Sequence, residues 1–253
     1  MRMVSYNILN GGEGRADPLA EVIEANRPDM VALIEADNTD VLERIAKRLQ
    51  MDYIRAEGHQ HAVALLSRWA ILETINHAAL GASPQCLLQA TVREPNGTEW
   101  SIGVTHFHAR AFEADEQERE REVAELLKVF EPLRQAGRAH LLVGDFNANS
   151  PIQQIDPQKV KPTTRKAWEE NGGQIPRRVV QKILDAGYLD SFVVVHGQKA
   201  GTLASFTTQH PGQRVDYAFT YGIDPARLSD AWIEQDRLAK YASDHYPIGV
   251  EIR

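Results

Sequence analysis

The chain has 253 residues, 43% hydrophobic and 25% charged, with a formal net charge of −7 and one cysteine, Cys86. That length supports a large buried core without disulfide staples, and a lone cysteine excludes an intrachain bridge. The acidic total argues against a nonspecific duplex-DNA binder, no run reaches the ~18 apolar residues of a membrane span, and residues 1–7 lack a leader's apolar core; the expectation is a cytoplasmic protein without membrane insertion.

Residues 2–7 favour a strand. Asp17-Pro18 then reads as an N-cap followed by proline at the first helical position, with Leu19, Val22 and Ile23 on one face of a helix over 18–26. Residues 30–35 are an apolar run of strand length. Asn38 or Thr39 caps a second helix that carries Val41, Leu42, Ile45 and Leu49. Three or four strands follow, at 62–67, 70–75, 87–92 and 100–106, the last two joined by Pro95-Asn96-Gly97 as a hairpin. A charged helix is expected over 114–135, its Glu/Arg-rich opening a solvated face, followed by a buried strand at 140–144. Residues 150–174 have few periodic apolar positions and read as a long loop or insertion. A helix at 176–186 and four or five more strands complete one domain spanning 1–253.

Three segments carry candidate chemistry. At Gly144-Asp145-Phe146-Asn147 a buried strand ends on a carboxylate and a carboxamide, which alternation places on one side if the extended form continues. Such an Asp can bind a hard cation or take a proton from water, although an Asp/Asn turn after a strand is a common structural feature. In Val215-Asp216-Tyr217 a charge interrupts a strand-like run, and a buried carboxylate needs a partner. Ser243-Asp244-His245 supplies an imidazole as a natural one.

Taken together, Ser5-Tyr6-Asn7, Ala32-Leu33-Ile34-Glu35, Val104-Thr105-His106, Gly144-Asp145-Phe146-Asn147, Val215-Asp216-Tyr217 and Ser243-Asp244-His245 resemble, in order, the motifs of the endonuclease/exonuclease/phosphatase (deoxyribonuclease I-like) superfamily. The resemblance covers nearly the whole chain. It implies a four-layer α-β-β-α sandwich of two packed mixed β-sheets with outer helices. It also implies Mg²⁺-dependent (or Mn²⁺-dependent) hydrolysis of a phosphate ester by in-line attack of water. Glu35, with Asn7 beside it, resembles the main metal ligand, and Asp244 a second-site ligand. Asp145 would orient or deprotonate the water, and Asn147 would bind phosphate. His245, oriented by Asp216, would contact a phosphoryl oxygen or move a proton, with His106 a second contact or acid. Thr207 or Thr208 would donate near the phosphate.

Two departures stand out. Leu9 occupies the place of a second metal-binding acid, and His61 stands where the family keeps a Glu facing the Thr-His histidine. On an extended strand His106 and His108 would both face the cleft and invite a zinc site, but no cysteine or glutamate partner completes a zinc signature. The segment 150–182 carries Lys159, Lys161, Arg165, Lys166, Arg177, Arg178 and Lys182 against Asp156, Glu169 and Glu170. This is either a patch that attracts a phosphorylated substrate, with Lys159 and Arg165 as contacts, or an ordinary solvated loop. Trp168 within it either stacks on a base or anchors the loop. The expected function is a phosphodiesterase or nuclease whose partner is a phosphate ester, nucleic acid included. The alternatives are a phosphomonoesterase for a small metabolite such as an inositol phosphate, or an inactive member that binds a partner.

Overall fold

The computed structural model describes residues 1–80 and 86–253. Its strands, in chain order, are β1 (Arg2–Asn7), β2 (Met30–Ile34), β3 (Asp52–Glu57), β4 (Ala62–Ser67), β5 (Ala70–Asn76), β6 (Cys86–Arg93), β7 (Glu99–His106), β8 (His140–Asp145), β9 (Leu189–Asp190), β10 (Asp216–Tyr221), β11 (Leu228–Ile233) and β12 (Ile248–Ile252). They form two six-stranded sheets, ordered β11-β12-β1-β2-β4-β3 and β5-β6-β7-β8-β10-β9. The central pairs β1/β2 and β7/β8 are parallel and the remaining pairs antiparallel. The helices are α1 (Ala16–Ala25), α2 (Thr39–Leu49), α3 (Glu113–Val129), α4 (Glu131–Gln135), α5 (Pro162–Glu170), α6 (Arg178–Asp185), α7 (Ser191–His196) and α8 (Arg237–Ala242). The architecture is the expected α/β sandwich.

The central strands read as apolar runs because both their faces are covered. Met30, Ala32 and Ile34 of β2 meet Leu88, Val104, Leu141 and Val143 of the opposite sheet in the inner core. Val31 and Leu33 turn outward and pack on Leu19, Ile23, Leu42 and Ile45 of α1 and α2. On the other side Leu142, Tyr217 and Phe219 meet Val123 and Leu126 of α3 and Val179 and Ile183 of α6. Each such side chain removed from water contributes about 1.5–3 kcal/mol, which fixes the register that aligns the strand ends.

Several local expectations are corrected. β3 escapes a pattern search because it is an edge strand with mostly polar, half-exposed residues. Helix α1 starts at Ala16, so Asp17 and Pro18 lie within its first turn, and Asp17 binds Arg44 instead of capping. Asn38, not Thr39, caps α2, accepting from the Asp40 and Val41 amides. The long charged helix breaks at Phe130 because Pro132 lacks the N–H that would continue it. Its opening is solvated only in part. Glu116, Arg119 and Glu122 are buried; Glu116 pairs with Arg119 and accepts the first amides of α6, while Arg119 donates to the His108 and Arg110 carbonyls. The segment 150–174 is not all loop, since α5 lies within it, anchored by Ala167 and Trp168.

Candidate active site

The register lines up one residue from each strand end. Across one sheet Cys86 pairs with His106, His106 with Asp145, and Asp145 with Asp216. In the facing sheet Asn7 pairs with Ile34, and Ile34 with Val63. Just past those ends lie Glu35, after β2, and His61, before β4, while His245 precedes β12 on the other side of β1. Two rows therefore face each other across the sandwich: His245, Asn7, Glu35 and His61 opposite Asp216, Asp145, His106 and Cys86. Contacts across the gap join them. His245 Nδ1 lies 2.9 Å from Asp216 Oδ2, Asn7 Nδ2 donates to Asp145 Oδ2 at 3.1 Å, and Cys86 Sγ donates to the His61 carbonyl at 2.7 Å.

Local backbone geometry sets these side chains. A Cβ on Gly144 would meet the Thr105 carbonyl oxygen at 1.9 Å, so only glycine lets β8 run this close to β7 just before Asp145. Glu35 and Asn147 adopt φ of 60° and 46°, uncommon values that turn the chain out of β2 and past β8. The Asn147 N–H donates to Asp145 Oδ1 at 2.8 Å, and its side-chain amide donates to the Phe107 carbonyl at 3.0 Å. The chain is thus not extended beyond Asp145, and a local turn, not strand alternation, brings Asn147 beside it. Glu35 accepts from Asn7 Nδ2 at 3.0 Å and from the Asn10 N–H at 2.6 Å. Ser205 Oγ donates to Asp216 Oδ2 at 2.6 Å, and the Phe206 ring lies 4.5 Å from that of His245.

The charges follow from burial and neighbours. Asp145 is 1% exposed. Burial pushes its carboxyl up to about 7 against the pull of His245, and Asp216 adds to the rise. Burial opposes a charge on His245 as well, but Asp216 and Asp145 outweigh it and raise the imidazole to about 10, so it is a cation at neutral pH. Burial lowers His106 to about 4 despite Glu35, leaving it neutral. Burial also acts to raise Glu35, yet the hydrogen bonds it accepts from Asn10 and Asn7 hold it below its ordinary range.

The sequence profile of the Endonuclease/Exonuclease/phosphatase family matches residues 4–245. The chain belongs to this family. Three solved structures share the fold, each covering 100% of this chain. A 3′ phosphatase from Neisseria, solved with a product DNA hairpin, has 22% identity and a TM-score of 0.78 over 99% of its own chain. An AP endonuclease from Archaeoglobus fulgidus has 18% identity and a TM-score of 0.72 over 99%. The catalytic domain of human Nocturnin, with bound sulfate, has 16% identity and a TM-score of 0.69 over 94%. No curated protein matches the sequence.

Members of this family use a divalent metal, and the donor set suits a hard cation: Glu35 and Asp145 present carboxylate oxygens on either side of the Asn7 amide. Asp145, Asp216 and His245 also hold ligand atoms within 4.8 Å of one another and could bind an ion. There His245 Nδ1 faces Asp216, while Glu35 lies across the Asn7 amide from Asp145. Asn7, expected beside the metal ligand, donates from Nδ2 to both carboxylates, and its Oδ1 accepts from the Leu9 N–H. Asp244 is half-buried beside His245, with its carbonyl accepting from Thr208.

Other expected residues make contacts of their own. His108 falls beyond the end of β7, and its Nε2 lies 2.8 Å from Asp115 Oδ1, so it does not share a face with His106. The Thr207 hydroxyl closes a turn by accepting from the His210 N–H, and Thr208 donates to the Ser243 carbonyl. Most of the basic segment is internally paired: Arg165 with Glu169 and Gln158, Lys166 with Glu170, Arg178 with Glu113 and Glu120, and Lys182 with Glu120. Lys159 faces a separate hollow beside Pro211 and Gly212. Neither expected contact, Lys159 or Arg165, lines the cavity of about 540 Å³ next to Asn147; Lys161 of the same segment does, without an ion pair among the described residues and with its Nζ 5.8 Å over the Phe206 ring. Ser205 and Phe206 carry no motif that the sequence could have exposed. Asp37, which holds His61 at 2.8 Å, was visible only as an acid near the end of β2.

Proposed function

We propose that this chain is a Mg²⁺- or Mn²⁺-dependent phosphodiesterase acting on nucleotide-containing esters. The observation that carries the reading is the line Asp216–His245–Asp145, with His245 Nε2 3.6 Å from Asp145 Oδ2, abutting the Asn7–Glu35 pair. A phosphodiester is an anion, so its attack by water needs positive charge and donors on the phosphoryl oxygens and a base for the water. The imidazolium of His245, fixed by Asp216, supplies charge and an N–H. Asp145, whose carboxyl titrates near neutrality and is steered by the Asn147 N–H, takes the proton of the water. A divalent ion held at Glu35 would supply further charge to the phosphoryl oxygens.

The nucleotide preference is supported by the cavity beside Asn147. Ala167, Trp168, Phe206 and Val215 give it an apolar lining, and Lys161 a cation. Its size is that of a small-molecule site, suited to a flat base with a phosphate reaching toward Asp145. The solved relatives include a 3′ phosphatase with product DNA and an AP endonuclease. The net charge of −7 favours a short or single-stranded end over long duplex. The test is a comparison of bis(p-nitrophenyl) phosphate, p-nitrophenyl phosphate and a short oligonucleotide, each with Mn²⁺, Mg²⁺ or EDTA. Metal-dependent turnover of diester and oligonucleotide supports the proposal. Turnover of the monoester alone makes the chain a phosphomonoesterase, and no turnover at all makes it a binding protein.

A further inference from the structure

His61 stands at the far end of the row that begins with His245. Its Nδ1 lies 2.8 Å from Asp37 Oδ2, and the other oxygen of Asp37 accepts the Ala62 N–H at 2.7 Å. The turn into β4 is closed without the imidazole, by that bond together with Ala36 N–H to the Ala62 carbonyl and Gly58 N–H to the His61 carbonyl. The ring is therefore oriented beyond what the turn requires. Its Nε2 has no partner among the described residues, and the ring lies 5.4 Å from that of His106. This Asp37–His61 pair mirrors Asp216–His245 at the opposite end of the cleft. The hydrogen bond that His61 donates to Asp37 raises its pKa against partial burial, and the charges of Glu35 and Asp37 add to the rise.

We infer that His61 is the proton donor to the leaving oxygen of the ester and that Asp37 positions it, an inference resting on the phosphodiesterase reading above. Asn7, which touches Asp145, is level through Ile34 with Val63, two strand spacings or about 10 Å away, and His61 lies two residues beyond Val63 at the end of β4. An in-line reaction needs a gap of that order between base and acid. A hydrogen bond of about 2.8 Å joins base to water, a near-attack gap of about 3–3.5 Å separates water from phosphorus, and beyond the breaking bond a second hydrogen bond of about 2.8 Å reaches the acid. As the water oxygen bonds to phosphorus, its proton passes to Asp145. The bond from phosphorus to the leaving oxygen breaks with its electron pair on that oxygen, which takes the Nε2 proton of His61. The neutral imidazole is reprotonated from solvent, which reaches its side chain at 27% exposure; His106, at 5%, is shut away from that supply. His245 sits at the Asp145 end and faces the attack instead.

Leaving-group dependence tests this directly, because p-nitrophenolate departs without a proton and an alcohol does not. Single-turnover rates with Mn²⁺ are compared on bis(p-nitrophenyl) phosphate and on a thymidine dinucleotide, for the wild type, His61→Gln and Asp37→Asn. The expected result for His61→Gln is a ~10²-fold loss on the dinucleotide with the p-nitrophenyl ester held within about threefold, which also certifies the fold. Asp37→Asn gives the same split with a smaller loss. Equal losses on both esters, or no loss on the dinucleotide, overturn the assignment and leave His61 a structural residue. A wild type that cleaves neither ester overturns the phosphodiesterase reading itself, and the assignment with it.

Discussion

Replacing Asp216 by Asn keeps a group that can accept from Ser205 Oγ but removes the charge that His245 depends on. The imidazole of His245 sits at about 10 because Asp216 and Asp145 overcome its burial, so the variant loses its cation as pH rises through neutrality, where the wild type keeps it. A positioned acid or base contributes typically 10²–10⁴-fold. At the lower end, Asp216→Asn and His245→Ala each cut kcat/KM by about 10²-fold, or about 2.7 kcal/mol at 1.36 kcal/mol per decade. If the two act as one unit, the double variant falls no further, and the coupling energy is again about 2.7 kcal/mol, near the top of the range for contacting residues. The assay is a double-mutant cycle in kcat/KM on the diester at saturating Mn²⁺, repeated from pH 6 to 9. A double variant about 10⁴-fold down, with multiplicative losses, would refute the pairing. The same pair affects stability. A histidine raised above its unfolded value of about 6.5 adds stability that is complete below that pH and is lost as pH climbs through about 10.

Three further outcomes are expected. Glu35→Gln should weaken Mn²⁺ binding at least tenfold by calorimetry, and unchanged affinity would remove Glu35 from the ligand set. Lys161→Ala should raise KM about three- to tenfold with kcat nearly unchanged, the effect shrinking at high salt, whereas Arg165→Ala should do neither because Glu169 and Gln158 already hold Arg165. Asp190→Asn should break the buried pair with Arg214, whose Nη2 lies 2.6 Å from Asp190 Oδ2 with both side chains almost wholly buried. Removing one partner of such a pair costs about 3–5 kcal/mol, a fall in Tm of about 6–20 °C by calorimetry, and a shift under 3 °C would contradict it.

The two-sheet architecture was legible because the central strands are buried on both faces, so β2, β4 and β8 stand out as unbroken apolar runs ending on Glu35, Ser67 and Asp145. What escaped was structure that polar residues build. β3 lies on an edge where one face needs no apolar side chains, and Glu116, Arg119 and Glu122 look like a solvated helix face until their buried partners are seen. The same limit applies at the site. The carboxylates and His245 are visible as motifs at strand ends, and Asp216 is visible as a charge that needs a partner. Lys161 differs from Arg165 only in lacking a neighbour one helical turn away, and His61 gains meaning only from Asp37 and the opposite sheet. Asn147 failed as an alternation argument because the chain turns into positive φ.

Asp145, as the group that activates water at a metal-dependent phosphoester centre, bears most of the proposed chemistry. The most direct test is the initial rate of bis(p-nitrophenyl) phosphate hydrolysis by the wild type and Asp145→Asn, each with Mn²⁺ and with EDTA. The expected result is turnover by the wild type with Mn²⁺, its abolition by EDTA, and a loss of at least ~10²-fold in Asp145→Asn at unchanged Tm. Full activity in the variant, or wild-type turnover indifferent to EDTA, would contradict it.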